Sequence, residues 1–415
     1  MDSMPSSAGK PHLLIVMLNG SSTIRLDRHI DHDRCAVTYV VDRTRAETIA
    51  EYRERIRDAA VVTDPADIDG QVLPAVAELF RRNGTADVVF TPSEYDLLGA
   101  ARIRDRFGIA GMSEAHTLDL RDKVLMKERV GAAGVVVPRF GACADAVPHE
   151  LAARIGYPLV LKPRRGMGSR GIHIVHDDAE FARAWPQIDP DDYEAEEFVP
   201  GTIYHVDGLV SDGRLLFSRV SRYLTTCLAA QHQRIPLGSV VVDDAELRDR
   251  LNSFALRALL ALSLDASPFH LELILRADRE PVFLEVGARP GGGQIRFVFD
   301  DLYGVDLFRE WANLALGVQR ELPVPDEPVG GWLTVPAPSA PPYRVVEARS
   351  LIDSVRYLYY EALPHTGDVY DSRRLSLDRW PGGRFRFAGP TTEVVAAAIE
   401  DTMRRYRFTV AAHDS

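Results

Sequence analysis

The 415-residue chain is poor in cysteine, with Cys35, Cys143 and Cys227 scattered along it. An odd and dispersed set excludes a disulfide framework and a cysteine zinc site, and it fits a reducing, cytoplasmic compartment. Long apolar runs are also missing where a leader or membrane span would be sought. Residues 13–18 are apolar but far too short for either, and the ten residues at the start, small and polar, read as a loose tail. Positive charge is short as well. With 49 Lys and Arg against 60 Asp and Glu the net charge is −11, which argues against a nucleic-acid partner while leaving room for a local basic pocket. Neither H-R-D nor D-F-G occurs, so a glycine-rich loop here does not belong to a protein kinase. What remains is a composition typical of a soluble globular protein, 46% hydrophobic and 26% charged, long enough for two or three domains.

The stretch that carries the chemistry begins at Tyr157. A short apolar strand ends in Lys162, then Gly166, Gly168, Ser169 and Gly171 follow, and β-branched residues resume a strand at Ile172–Val175. The glycines satisfy G-x-G-x-x-G, but the dinucleotide version opens a helix, whereas here a strand follows. In a P-loop the lysine comes directly after the last glycine; here it precedes them. Strand, lysine, flexible loop, strand reads as a hairpin lid whose backbone N–H groups and lysine approach phosphates. The bland alternative is an ordinary glycine-rich turn.

A second stretch bears on that choice. Residues 269–276 and 281–286 read as two strands around a tight turn at 277–280. A turn centred on Asp278 and Arg279 sets Glu272 opposite Glu285 on one sheet face. Opposed like charges destabilise a sheet. A divalent cation between them removes the conflict, and Mg²⁺ is held by one or two carboxylates with substrate phosphates. The alternative is two glutamates on a solvated face, with Leu271, Leu273, Leu284 and Val286 on the other.

Together these residues resemble the ATP-grasp enzymes, in particular carboxylate–amine ligases of the L-amino acid (dipeptide) ligase type. The resemblance rests on Lys162 and its glycine loop, on Glu196-Glu197-Phe198-Val199-Pro200-Gly201, on Glu272, and on Glu285-Val-Gly-Ala-Arg289-Pro-Gly291-Gly292-Gly293. It covers residues 118–308 well and the flanks in general pattern. It implies an ATP-grasp fold, mixed α/β and α+β. An N-terminal Rossmann-like parallel-sheet domain would span residues 1–117, the grasp lobes 118–322, and a small α+β region closing the grasp domain 323–415. By the same resemblance ATP and Mg²⁺ are the cofactors. Lys123 of the D-K-x-x-M-K element reaches the nucleotide phosphates with Lys162, while Lys127, one turn on, reads as a solvated helix face. The backbone of Phe198 and Val199 reads the adenine edge, and Glu196 or Glu197 the exocyclic amine or a ribose hydroxyl. Two departures stand out: Ile203 where the family has an acidic ribose contact, and Gly287 where related ligases have asparagine completing the metal shell.

The flanks are less specific. Short apolar runs at 13–18, 35–41, 59–63 and 87–90 alternate with helical stretches at 72–82 and 95–106, the pattern of a parallel sheet. The Asn19-Gly20-Ser21-Ser22 turn falls where such sheets bind ligands, or is a plain βα turn. In the grasp region helices are expected at 119–133, 149–155 and 243–262, a strand from Gly134, and a long polar lid loop over 223–238. After residue 322 a strand is expected at 332–335 and a helix at 392–406.

The expected activity is an ATP-dependent ligase forming an acyl phosphate and then a C–N bond, with ADP and phosphate released. Arg289 and Lys162 are the expected catalytic groups. Substrate contacts are expected from Glu94, His232, Arg289, Gly291, Gly292, Gly293 and Arg296, with small amino acids as partners and no nucleic acid or membrane. A homodimer is compatible with this class. Rivals are an ATP-grasp carboxylase, a purine-pathway-like ligase and a non-catalytic ATP-binding sensor.

Overall fold

The computed structural model describes residues 9–19, 24–323, 328–371 and 381–413. Gly20, Ser21 and Ser22 of the first βα turn, and the tail up to residue 8, lie outside the described residues. The chain divides into two compact units, Met1–Leu118 with Asp306–Glu321, and Asp119–Val305 with Leu322–Ser415.

In the first unit four parallel strands lie in the order Asp58–Val62, Ala36–Asp42, His12–Met17, Val88–Phe90. His12–Met17 is buried along its whole length, as a strand covered on both faces must be. Its side chains alternate between two cores. Leu13, Ile15 and Met17 pack with Tyr39, Phe308 and Trp311, while Leu14 and Val16 pack with Val76, Leu79 and Ile103. The helix Leu307–Ala315 therefore belongs to this unit, although the grasp region was expected to run unbroken to residue 322. Its apolar stripe decides the matter: Trp311 sits 4.7 Å from Phe90, ring centre to ring centre.

The second unit holds the mixed architecture expected of the ATP-grasp fold. A small antiparallel sheet has the order Phe140–Ala142, Tyr193–Glu197, Leu159–Pro163, His173–Val175. An eight-stranded antiparallel sheet has the order Pro281–Gly287, Ser267–Leu275, Thr202–Ser211, Arg214–Tyr223, Leu237–Val241, Val329–Val335, Gly383–Gly389, Leu358–Ala362. The last three strands are C-terminal, so that region extends the sheet carrying Glu272 and Glu285. Apolar side chains of the helix Thr392–Arg405, Val395 and Ile399, share a core with Phe385 and Phe387 of this sheet.

Three local expectations are corrected. The helix expected over 119–133 begins at Lys123, because Asp122 turns its side chain onto the N–H groups of Val124 and Leu125 and caps it there. No strand starts at Gly134; it begins at Phe140, after Pro138, which has no N–H to give a ladder. The expected lid loop contains a helix, Cys227–Gln233, capped by the Thr226 hydroxyl and ended by Arg234 in the left-handed region at φ +54°. Among the described residues no helix is long and apolar enough to cross a membrane.

The eight-stranded sheet is most sensitive where backbones approach closely. A Cβ on Gly208, in the middle of Thr202–Ser211, would lie 2.0 Å from the carbonyl oxygen of Phe217. A backbone between ladder partners cannot yield cheaply. Gly208→Ala is expected to cost about 3 kcal/mol, read as a lower urea midpoint for the second unit.

Candidate active site

Strand pairing builds the floor of the site. Leu159–Pro163 runs antiparallel to Tyr193–Glu197, with Lys162 opposite Glu194 and Val160 opposite Glu196. Side chains alternate along a strand, so Lys162, Glu194 and Glu196 share one face. Lys162 Nζ lies 2.6 Å from Glu196 Oε1 and 3.8 Å from Glu194 Oε1. Lys127, from the helix Lys123–Ala132, enters the same cluster, its Nζ 2.7 Å from Glu194 Oε1 and 2.6 Å from Glu196 Oε2. All four side chains are buried. Burial pulls the Lys162 ammonium down, but Glu196, Glu194 and Glu285 outweigh it and hold its pKa above the ordinary lysine value. Burial raises Glu194 against the pull of the two lysines, and its Oε2 has no hydrogen-bond partner among the described residues. For Glu196 the order reverses: burial opposes, and Lys127 and Lys162 hold it low.

Lys127 is thus no solvated helix residue; it is a fully buried member of this cluster. Glu196 is likewise corrected. Its carboxylate is taken by two lysines, which fits holding Lys162 in place and not reading an adenine amine. Glu197 points away from that pair, with Arg139 Nε at 3.2 Å from its Oε2. The Phe198 N–H already donates to the Pro158 carbonyl at 3.1 Å. It is therefore not available to an adenine.

The glycine loop is tied down at its base. Lys123 N donates to the Arg164 carbonyl at 3.0 Å, and Lys123 Nζ donates to the Gly166 carbonyl at 2.7 Å. Asp122, besides capping the helix, pairs with Arg164 at 2.8 Å. Gly168, Ser169 and Gly171 take positive φ, 64°, 56° and 70°. At Gly171 a Cβ would also meet the Tyr193 hydroxyl at 2.6 Å.

The expected carboxylate pair is present: Glu272 lies directly opposite Glu285 in the ladder of Ser267–Leu275 and Pro281–Gly287. The hairpin does not reach it in one register. A bulge lies between Glu272 and Leu273, whose partner is Phe283, and Leu284 is the extra residue. Leu284 therefore comes to the cavity side with Glu285, not to the opposite face as an uninterrupted alternation requires. Lys123 Nζ stands 3.1 Å from Glu285 Oε2. The enclosing walls push the Glu285 carboxyl up, but Lys123 and Lys162 overcome this and hold it at about 2. Glu272 Oε1 accepts from the Tyr223 hydroxyl at 3.1 Å and faces His270 Nε2 at 3.3 Å. Behind it, His270 Nδ1 is 2.7 Å from Asp207 Oδ1, Asp207 Oδ2 is 2.5 Å from His205 Nδ1, and His205 Nε2 is 2.7 Å from Ser239 Oγ. Burial lowers His270, yet Asp207 and Glu272 prevail and raise it to about 10. Asp207 is held well below the usual carboxylate range, its burial outweighed by the two histidines. The donor set suits a hard divalent cation: two carboxylates directly opposite each other on one cavity wall.

A cavity of about 450 Å³ runs between the small sheet, the glycine loop and this hairpin. Lys123, Lys162, Glu272 and Glu285 lie on its wall, as do Gly166, Gly168 and Ser169 of the loop. Glu196, Glu197, Phe198 and Val199 line another side, with Ile203 and His232. Gly171, Arg289, Gly291, Gly292, Gly293 and Arg296 are not on that wall. Gly291 packs on the Asp207–His270 pair, where a Cβ would lie 2.3 Å from Asp207 Oδ1. A Cβ on Gly293 would strike the Trp332 ring at 2.7 Å. Arg289 donates to the Pro290 carbonyl at 2.9 Å, and Arg296 stacks on the Phe297 ring at 3.8 Å. Glu94 is buried in the first unit, just after the strand Val88–Phe90. Glu194, His205, Asp207, Tyr223 and His270 were not anticipated. For two of them a signal was available: Glu194 and His270 each stand two residues before a site glutamate, hence on its face.

Lysines and paired glutamates line one cavity beside a glycine lid, within an ATP-grasp fold, and residues 155–297 match the ATP-grasp domain family. The proteins to which the chain is similar include amino acid ligases. The L-arginine-specific L-amino acid ligase of Bacillus subtilis is 25% identical over 337 residues, 76% of this chain and 78% of that protein. Dapdiamide A synthase of Enterobacter agglomerans is 26% identical over 211 residues, 47% of this chain and about half (48%) of that protein. The crystal structure of an L-amino acid ligase from Bacillus licheniformis superposes with a TM-score of 0.75 at 18% identity, covering 98% of this chain and 100% of that one.

The two lysines of the helix Lys123–Ala132 should behave differently. Lys127→Ala leaves Glu194 and Glu196 short of a buried cation and is expected to cost about 3–5 kcal/mol in urea unfolding. Lys123→Ala, at the cavity wall, should cost much less stability while weakening nucleotide binding in calorimetry.

Proposed function

We propose that the protein is an ADP-forming carboxylate–amine ligase that joins two amino acids through an acyl phosphate. The observation that carries this reading is the Glu272–Glu285 pair on the wall of one cavity with Lys123 and Lys162. Glu272 and Glu285 would hold Mg²⁺. When bound, the ion supplies charge neutralisation for the phosphate oxygens. Lys162, fixed by Glu196, and Lys123, anchored at Gly166, hold the phosphate chain under the Gly166–Gly171 lid, and the Glu197–Val199 segment borders the base. A carboxylate oxygen of the donor attacks the γ-phosphorus, and the bond to ADP breaks. The amine nitrogen of the acceptor then attacks the acyl carbon; phosphate leaves and the nitrogen gives up a proton. Positioning and charge placement do most of this work, and a closed lid keeps water from the acyl phosphate. Arg289 and Arg296, which follow the strand Pro281–Gly287, would supply cations for the acyl phosphate and a second substrate carboxylate by turning from the Pro290 carbonyl and the Phe297 ring towards the cavity. Gly292, where a Cβ would meet nothing within 4 Å, leaves that region open, and His232 on the cavity wall is a further substrate contact in this reading. The expected setting is the cytoplasm.

A phosphate-release screen over pairs of amino acids, with mass spectrometry of the product, tests the reading. ADP and phosphate are the expected products; AMP with pyrophosphate would replace the mechanism by adenylation. Glu272→Gln and Glu285→Gln should each lower kcat by about 10²–10³-fold with an unchanged circular dichroism spectrum. Arg296→Ala should raise the donor's KM with little effect on the KM for ATP.

A further inference from the structure

Behind Glu272 stands a chain of polar groups that the proposed mechanism does not use. It runs from Ser239 through His205, Asp207 and His270 to Glu272, with successive separations of 2.7, 2.5, 2.7 and 3.3 Å. Its members sit on three strands of one sheet, Leu237–Val241, Thr202–Ser211 and Ser267–Leu275. Pairing places His270 opposite Asp207 and Glu272 opposite His205, so the four side chains share a face. His205 and Asp207 are fully buried, each 0% exposed, so this is no solvent-borne cluster. Both nitrogens of His270 face carboxylate oxygens, Asp207 Oδ1 and Glu272 Oε1, so the ring bridges the two. Opposite His270 in the next strand is Gly287, which adds no side chain there. Gly291 rests on the same pair: its Cβ direction meets Asp207 Oδ1 at 2.3 Å and His270 Nδ1 at 2.9 Å.

His205, Asp207 and His270 are mutually close enough to resemble ligands of an ion. Their nitrogens and oxygens are instead spent on one another, which suits a support for a ligand better than a second metal centre. We infer that His270, held by Asp207, is a positioning residue that fixes the Glu272 carboxylate for the metal, and that the same Asp207–His270 pair seats the glycine loop at Gly291. One relay would then set both the metal ligand and the start of the substrate loop. The inference rests on the reading of Glu272 as a metal ligand. Groups that hydrogen-bond a ligating carboxylate are worth about 10–100-fold in metal affinity.

The test uses the full chain with ADP, and Mn²⁺ as the probe, its free concentration followed by electron paramagnetic resonance. Glu272→Gln is the control for the underlying reading. If it binds Mn²⁺ like the unaltered protein, Glu272 is no ligand and that reading falls. If it loses Mn²⁺, the relay is tested by His270→Ala. Expected is about 10–100-fold weaker Mn²⁺ binding, with ADP affinity in the absence of divalent metal unchanged. His270→Gln, which can place an N–H near the old Nε2, should recover most of the affinity; His270→Asn, with its N–H on the Asp207 side, should not. Gly291→Ala, which displaces Asp207, should weaken Mn²⁺ in the same direction. Unchanged Mn²⁺ affinity in His270→Ala, or equal affinities in the Gln and Asn variants should the Ala variant fail to fold, would overturn the role of His270. Unchanged affinity in Gly291→Ala would overturn the link to the loop.

Discussion

The site depends on two lysines and two glutamates buried together. Lys127, Lys162, Glu194 and Glu196 lie within 2.6 to 3.8 Å of one another in pairs. Removing such charges from water is costly, and what offsets it is their mutual attraction with good geometry. The consequence is rigidity of position. Lys162 cannot swing to solvent without leaving a carboxylate behind, so its ammonium stays at the cavity wall. Lys127 does not touch the cavity wall, yet it sets the balance that lets Glu196 hold Lys162. The same helix delivers Lys123 one turn earlier, and Asp122 caps that helix and grips Arg164 at the foot of the glycine loop. Floor, lid and helix are therefore joined by charge pairs, not by apolar packing alone.

Much of this was legible from spacing. The lysine before the glycines, the return to β-branched residues after them, and the equal distances of Glu272 and Glu285 from a turn are local features, and local features survive folding. The parallel sheet of the first unit was equally plain, because buried parallel strands read as unbroken apolar runs. What the sequence concealed were facts of burial and register. Lys123 and Lys127 share a helix face by spacing, but only the arrival of Tyr193–Glu197 beside that face buries Lys127 and leaves Lys123 at the wall. Glu196 and Glu197 are neighbours in sequence and opposites in the sheet, so a motif naming both could not say which one meets a lysine.

The hairpin shows the limit most clearly. A straight count from the turn places Glu272 against Glu285, and they are indeed paired, although the residues nearer the turn follow a register shifted by one. The bulge at Leu284 absorbs the difference. Without it, the register of Leu273 with Phe283 would continue to Glu272 with Leu284, and Glu285 would face Leu271 on the apolar side. A carboxylate would then be buried among leucines and the pair lost. One extra residue thus decides whether the two glutamates can share a cation, and no local composition announces it.

Charge balance connects this geometry to the proposed chemistry. Each glutamate of the pair faces a cation: Lys123 stands by Glu285, and His270 by Glu272. Binding of a nucleotide with its metal would bring in both signs at once. Phosphates would draw Lys123 away from Glu285, and the metal would take its place there, so that partners are exchanged and no buried charge is left alone. His270 differs from Lys123 in this exchange, because Asp207 holds it from behind and it cannot follow the phosphates. Under the proposed function Glu285 would be the carboxylate that changes partner on binding, and Glu272 the one that keeps its place. The asymmetry follows from what stands beside each glutamate: a lysine whose tip also holds the Gly166 carbonyl for one, and a ring clamped between two carboxylates for the other.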